Sequence, residues 1–145
     1  MANASLRAHR RNTLLSWIAF ILAFLGLVGV VFQVLLVGLN VFTQPIWWGF
    51  HSTSGHLIGA LFLLLALTTW IARMTAPTRW LSLALIVLYG FQYNVFSLAR
   101  LFQFPSLNAL HAVNALALFW GASALVRWTW RTVERSRMQQ HARNS

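Results

Sequence analysis

The chain has no cysteine, no lysine and no aspartate, and its one acidic residue is Glu134. Each absence removes a class of function. Without cysteine there is no disulfide, no thiolate nucleophile, no covalent haem attachment of the C-x-x-C-H type and no thiolate metal site. With one carboxylate, paired-carboxylate catalysis, di-metal carboxylate centres and Asp/Glu proton relays within a membrane are excluded. A Ser-His-Asp set lacks its acid, no H-E-x-x-H motif occurs and no glycine-rich loop is placed to cradle phosphate. Charged residues are 8% of the chain, where soluble domains carry about a quarter.

What remains is apolar and basic. The hydrophobic fraction is 59% and the mean hydropathy is +0.65 over 145 residues, enough for one domain. The formal net charge is +10, carried by 11 arginines. These stand at the ends of apolar runs and in the tails, which marks membrane topology rather than nucleic-acid binding. All-arginine basicity is also a hint of a bacterial GC-rich source.

Four apolar runs are each long enough to cross about 30 Å of hydrocarbon. They predict transmembrane helices over about 14–42, 52–74, 79–103 and 107–131, with basic tails over 1–13 and 132–145. The first run is too long for a signal peptide and lacks a small-residue cleavage site, so it reads as a retained helix. Gln44-Pro45, the segment Thr75–Thr78 and Phe104-Pro105-Ser106 read as breaks. The segment 43–54 reads as a loop whose Ser52, Thr53 or Ser54 caps the second helix. The fold class is therefore all-α integral membrane, a four-transmembrane-helix bundle. Arginines 7, 10, 11, 73, 79, 127, 131, 135, 137 and 143 share one side, and only Arg100 stands near a helix end on the other. The positive-inside rule puts both termini in the cytoplasm of a bacterial inner membrane.

A short internal repeat is visible. His56-Leu-Ile-Gly59-Ala-Leu in the second helix parallels His111-Ala-Val-Asn114-Ala-Leu in the fourth. Phe32-Gln33 and Phe91-Gln92 precede them in the first and third. The chain so reads as two pseudo-repeated helical hairpins related by an axis along the membrane normal, with His56 and His111 facing each other at equal depth. Imidazoles inside a membrane are costly and usually functional. The plainer alternative is a polar link between helices.

Two imidazoles are too few for zinc, which takes three or four protein ligands. A b-type haem supplies its own four equatorial nitrogens and needs only two axial ones. On this reading His56 and His111 are the axial ligands, and His51, in the loop, is an alternative ligand. Gly59 leaves room for the macrocycle or, equally, forms a close-packing G-x-x-x-G face with Gly55. Arg100 pairs with propionates or snorkels to headgroups. Gln33 and Gln92 bridge helices or donate to a ligand histidine or a quinone. Asn114 bonds to helix backbone.

The run Trp48-Gly-Phe-His51-Ser-Thr-Ser-Gly-His56-Leu-Ile-Gly, with Leu110-His111-Ala-Val-Asn114-Ala in the last helix, resembles an uncharacterised family of small bacterial four-helix membrane proteins. The paired hairpins are distantly similar in arrangement to membrane b-type cytochromes and to one half of haem A synthase. That similarity implies a single bis-histidine haem b near the outer leaflet, exchanging electrons with a quinone or a larger redox complex. The competing expectation is a non-catalytic accessory subunit of a larger membrane complex, or a homo-oligomer, holding a pigment or lipid-soluble cofactor. An independent enzyme or a nucleic-acid binder is not expected.

Overall fold

The computed structural model describes the backbone of residues 2–144 and the side chains of residues 11–139 and 142. Four long helices account for nearly all of it: α1 (Ala2–Phe42), α2 (Trp47–Ile71), α3 (Ala76–Leu101) and α4 (Ala109–Asn144), the last preceded by a 3-10 turn over Pro105–Asn108. All four contain stretches long and apolar enough to cross a membrane. The helices run on through both segments expected to be tails, which hold no proline or glycine to stop them. The side chains of Arg7, Arg10 and Arg143 lie outside the described residues.

The three connections are built from proline and from left-handed helix ends. At Pro45 the chain turns back at once. Trp47, Trp48 and Gly49 donate main-chain bonds to Gln44, Pro45 and Ile46 at 3.4, 3.1 and 3.2 Å. Proline's fixed φ suits the start of a helix, so α2 begins at Trp47, five residues before the expected start at residue 52. No side chain caps it. The expected serine and threonine caps lie inside the helix, and so does His51. The other two turns share one geometry. Arg73 (φ 49°) and Gln103 (φ 50°) adopt the left-handed conformation after α2 and α3. Met74 N donates to Thr69 O at 3.0 Å, and Phe104 N to Ala99 O at 2.9 Å. Each is a Schellman closure that satisfies the last helical carbonyls.

The helices form a four-cornered bundle. α1 packs on α2 and α4, and α3 packs on the same two, which leaves α1 and α3, and α2 and α4, on the diagonals. The α1 side is tighter because its facing residues are small. A Cβ on Gly26 would stand 2.8 Å from the Phe62 ring, and one on Gly29 2.8 Å from Ile58. Around these sits the core of Ala19, Ala23, Phe62, Leu65, Leu85, Leu118, Ala122 and Leu125. Outside, Leu57, Leu64, Val87, Leu116 and Trp120 are more than half exposed. Exposed apolar surface of this extent marks a surface that interacts with a membrane or another protein. The apolar core occupies the middle of the bundle and extends toward the end that holds the termini. Toward the end with two loops, polar side chains replace it.

Candidate functional site

Every helix contributes to that polar layer. In the first hairpin, the His51 ring meets the main-chain carbonyl of Gln33 with Nδ1 at 3.3 Å. Gln33 Nε2 in turn donates to Ser54 Oγ at 2.8 Å. Ser54, one turn beyond His51, sends its own proton to Phe50 O at 2.6 Å. In the second hairpin, His111 Nδ1 meets the carbonyl of Gln92 at 3.2 Å. Gln92 Nε2 donates back to His111 O at 3.0 Å. Asn114, one turn beyond His111, donates to Leu88 O at 2.8 Å and to Gln92 Oε1. In both hairpins a histidine is thus held by a glutamine's backbone on the preceding helix, and a polar residue three positions later holds the glutamine side chain.

The two held rings meet across the α2–α4 diagonal. The centroids of His51 and His111 are 6.2 Å apart with their planes at 53°. Trp48 stacks on His51 at 5.0 Å and 17°, and Phe96 packs on His111 at 5.0 Å and 47°. Both imidazoles are half-buried. A carbonyl can only accept, so each Nδ1 in these bonds carries the proton. In neutral imidazole the other nitrogen, Nε2, is then an unprotonated acceptor. Neither Nε2 has a hydrogen-bond partner among the described residues.

The expected facing pair was His56 and His111. The structure sets His51, not His56, against His111. His56 is exposed on the flank of the bundle, its ring stacked on Tyr93 at 5.5 Å and 20°, with the Tyr93 hydroxyl 3.2 Å from Nδ1. The cause is helical phase. Five residues along an α-helix rotate a side chain by about 140°, so only one of the two histidines can face inward, and the early start of α2 gives that place to His51.

The other expected residues divide similarly. Gly59 does not open space for a flat ligand. The Tyr89 ring occupies it, with Cε1 2.8 Å from where a Gly59 Cβ would stand, and the Tyr89 hydroxyl donates to Gly55 O. The G-x-x-x-G pair is a close-packing face for Tyr89 and Tyr93. Gln33, Gln92 and Asn114 join the polar layer as helix bridges. Arg100 is exposed at the end of α3, reaching back to Ser97 Oγ at 3.3 Å. Tyr89 and Tyr93 were not singled out from sequence, and Ser54 only as a helix cap. The near-equal Gln33-to-His51 and Gln92-to-His111 separations, 18 and 19 residues, were the signal that could have found the pairing.

Three His, Cys, Asp or Glu side chains do not converge anywhere among the described residues. Any ion held at the His51–His111 pair would need its other ligands from elsewhere.

Residues 33–100 match the model of a family of unknown function, DUF6220. That is just under half of the chain. The matched stretch takes in Gln33, His51, Ser54, His56 and Gln92 and stops short of His111 and Asn114. No curated protein and no solved structure shows significant similarity to the chain.

Proposed function

We propose that the chain is a multi-pass protein of the bacterial inner membrane that binds one haem b between His51 and His111. On this reading the termini lie in the cytoplasm and the polar layer toward the outer leaflet, which the arginine distribution supports. The reading treats the hairpins as a repeat in the register Gln33–His51–Ser54 and Gln92–His111–Asn114. It rests on one observation above others: two imidazoles, each pinned through Nδ1, with their free Nε2 atoms available and their centroids 6.2 Å apart. Metal–nitrogen bonds of about 2.0–2.1 Å and about 1.1 Å from nitrogen to ring centre give roughly that separation for two imidazoles on one ion.

The donor set fits haem better than a bare ion. Two neutral nitrogens leave zinc short of ligands, whereas a porphyrin brings four of its own. The diagonal placement helps, since α2 and α4 do not approach each other closely. Haem supplies one-electron chemistry. The chain's part is to hold both imidazoles in the tautomer that coordinates, through the Gln33 and Gln92 carbonyls, in the manner of outer-shell partners that orient metal ligands. Trp48 and Phe96 pack against the two imidazoles and support their orientation. The function that follows is electron transfer to or from a quinone or a larger redox complex.

The test is an absorption spectrum of detergent-purified protein from haem-replete cells. A Soret band is expected in the parent and in His56→Ala, and is expected to be lost in His51→Ala and in His111→Ala. A colourless parent overturns the proposal. Loss in His56→Ala with retention in His51→Ala overturns the residue assignment.

A second reading is favoured by His56 and Tyr93. A polar pair on a surface that faces hydrocarbon is costly unless covered. As an accessory subunit, the chain would use this flank of α2 and α3 to dock a larger membrane partner. Co-purification that is lost in a His56→Leu/Tyr93→Phe variant would support it.

A further inference from the structure

At the end of the bundle that holds both termini, a cavity of about 280 Å³ opens between α1, the α2–α3 turn and α4. Its lining includes two exposed arginines, Arg73 and Arg135, together with Asn12, Gln139, Ser16 and Ser136. The two hydroxyl protons are engaged by main-chain carbonyls, Ser16 to Asn12 at 2.9 Å and Ser136 to Thr132 at 3.0 Å. The Arg73, Arg135, Asn12 and Gln139 side chains have no partner among the described residues. The chain's only acid is Glu134, exposed beside Arg135, so at most one guanidinium could be neutralised from within. The cavity is thus lined by two arginines and by two residues with side-chain amides.

Its level in the bundle narrows the ligand. Trp17 and Trp130 pack edge to face at 6.0 Å one turn deeper on α1 and α4. Trp70 and Trp80 form a second edge-to-face pair at 5.8 Å on the adjoining flank. Tryptophan belts of this kind mark the headgroup level of a bilayer. Basic recesses between transmembrane helices at that level hold lipid phosphates, and guanidinium groups bind phosphate oxygens through charge-assisted pairs. Arg73 also holds a backbone position, φ 49°, where glycine would be less strained. We propose that this cavity binds the phosphate of an anionic phospholipid headgroup between Arg73 and Arg135.

The experiment is thermal unfolding of the detergent-purified full chain, followed by tryptophan fluorescence, with short-chain phosphatidylglycerol, short-chain phosphatidylcholine or inorganic phosphate added. Saturating phosphatidylglycerol is expected to raise the midpoint by about 5 °C, with no shift from phosphatidylcholine. Arg73→Gly and Arg135→Gln should each remove most of the shift. Arg73→Gly is suited to the test because its backbone conformation favours glycine, so its fold is secure. An Arg127→Gln/Arg137→Gln variant, which removes twice the charge of either single variant at the same end outside the cavity, should keep the shift. Absence of a phosphatidylglycerol shift overturns the site, as does an equal shift from phosphatidylcholine. Equal loss in the Arg127/Arg137 variant reduces it to diffuse attraction. A full shift from inorganic phosphate alone overturns the lipid assignment.

Discussion

Replacing Asn114 by leucine tests whether the polar layer on the α3–α4 side has the energetic weight its bonding implies. Asn114 is 6% exposed, and its amide donates to two acceptors on α3: Leu88 O at 2.8 Å and Gln92 Oε1. Leucine has the same number and branching of side-chain heavy atoms, so no cavity opens. Interhelical hydrogen bonds in membranes are worth about 0.6 kcal/mol on average and about 1.7 at most. Two such bonds set a loss of about 1–3 kcal/mol, offset in part by leucine's apolar side chain. Leu88 O keeps its helical partner, but Gln92 Oε1 loses its donor. The net cost is expected to be about 1–2 kcal/mol in an equilibrium detergent-unfolding assay. A double-mutant cycle with Gln92→Leu locates it. In the Gln92→Leu background only the Leu88 bond remains to be lost, so Asn114→Leu should cost about 0.5–1 kcal/mol less there. A cost below about 0.3 kcal/mol in the parent, or equal costs in both backgrounds, would refute the claim that Asn114 and Gln92 act as one unit.

Glycine positions separate packing from propensity. Gly38 and Gly90 have open space where a Cβ would stand, so alanine at either should stabilise by about 0.5–1 kcal/mol. Gly59→Ala should destabilise by about 1–2 kcal/mol, because overpacking against the Tyr89 ring outweighs the propensity gain; the same unfolding assay ranks all three. Arg73→Gly should raise the stability of the lipid-free protein by about 1 kcal/mol through relief of the left-handed backbone. In nitrogen NMR of the cofactor-free protein, His51 and His111 should both show a protonated Nδ1 and an unprotonated Nε2. The reverse tautomer at either ring would contradict the bonds to Gln33 and Gln92.

The sequence made the four spans and their breaks legible because each rests on a local cause: an uninterrupted apolar run, or a proline that removes a donor. It misplaced the start of α2 for an equally local reason. Serine and threonine at 52–54 resemble a cap, but Pro45 starts the helix with no side-chain cap. That shift changed the site, since it put His51 on a helix and fixed its phase relative to His56. Gln33, Gln92, His111 and Asn114 could be read as a polar set because they are polar residues in apolar helices. Tyr89 filling Gly59 could not be read, since it depends on the register between α2 and α3, which no periodicity within either helix encodes. The same holds for Arg73, in the turn after α2, and Arg135, within α4, which are 62 residues apart in sequence.

The tautomer argument bears on what the centre of the polar layer prefers to hold. When Gln33 O and Gln92 O take the Nδ1 protons, both neutral rings turn a lone pair toward whatever lies beyond Nε2. Two such rings cannot hydrogen-bond to each other, because neither Nε2 has a proton to give. They can share one proton, accept from a donor such as a quinol hydroxyl, or coordinate a metal. A quinone carbonyl, which only accepts, finds no partner at a neutral ring. The pairing therefore favours cations and donors over acceptors. In the proposed function a metal held by its own macrocycle would take both lone pairs, which is the physical reason for proposing haem at the His51–His111 pair.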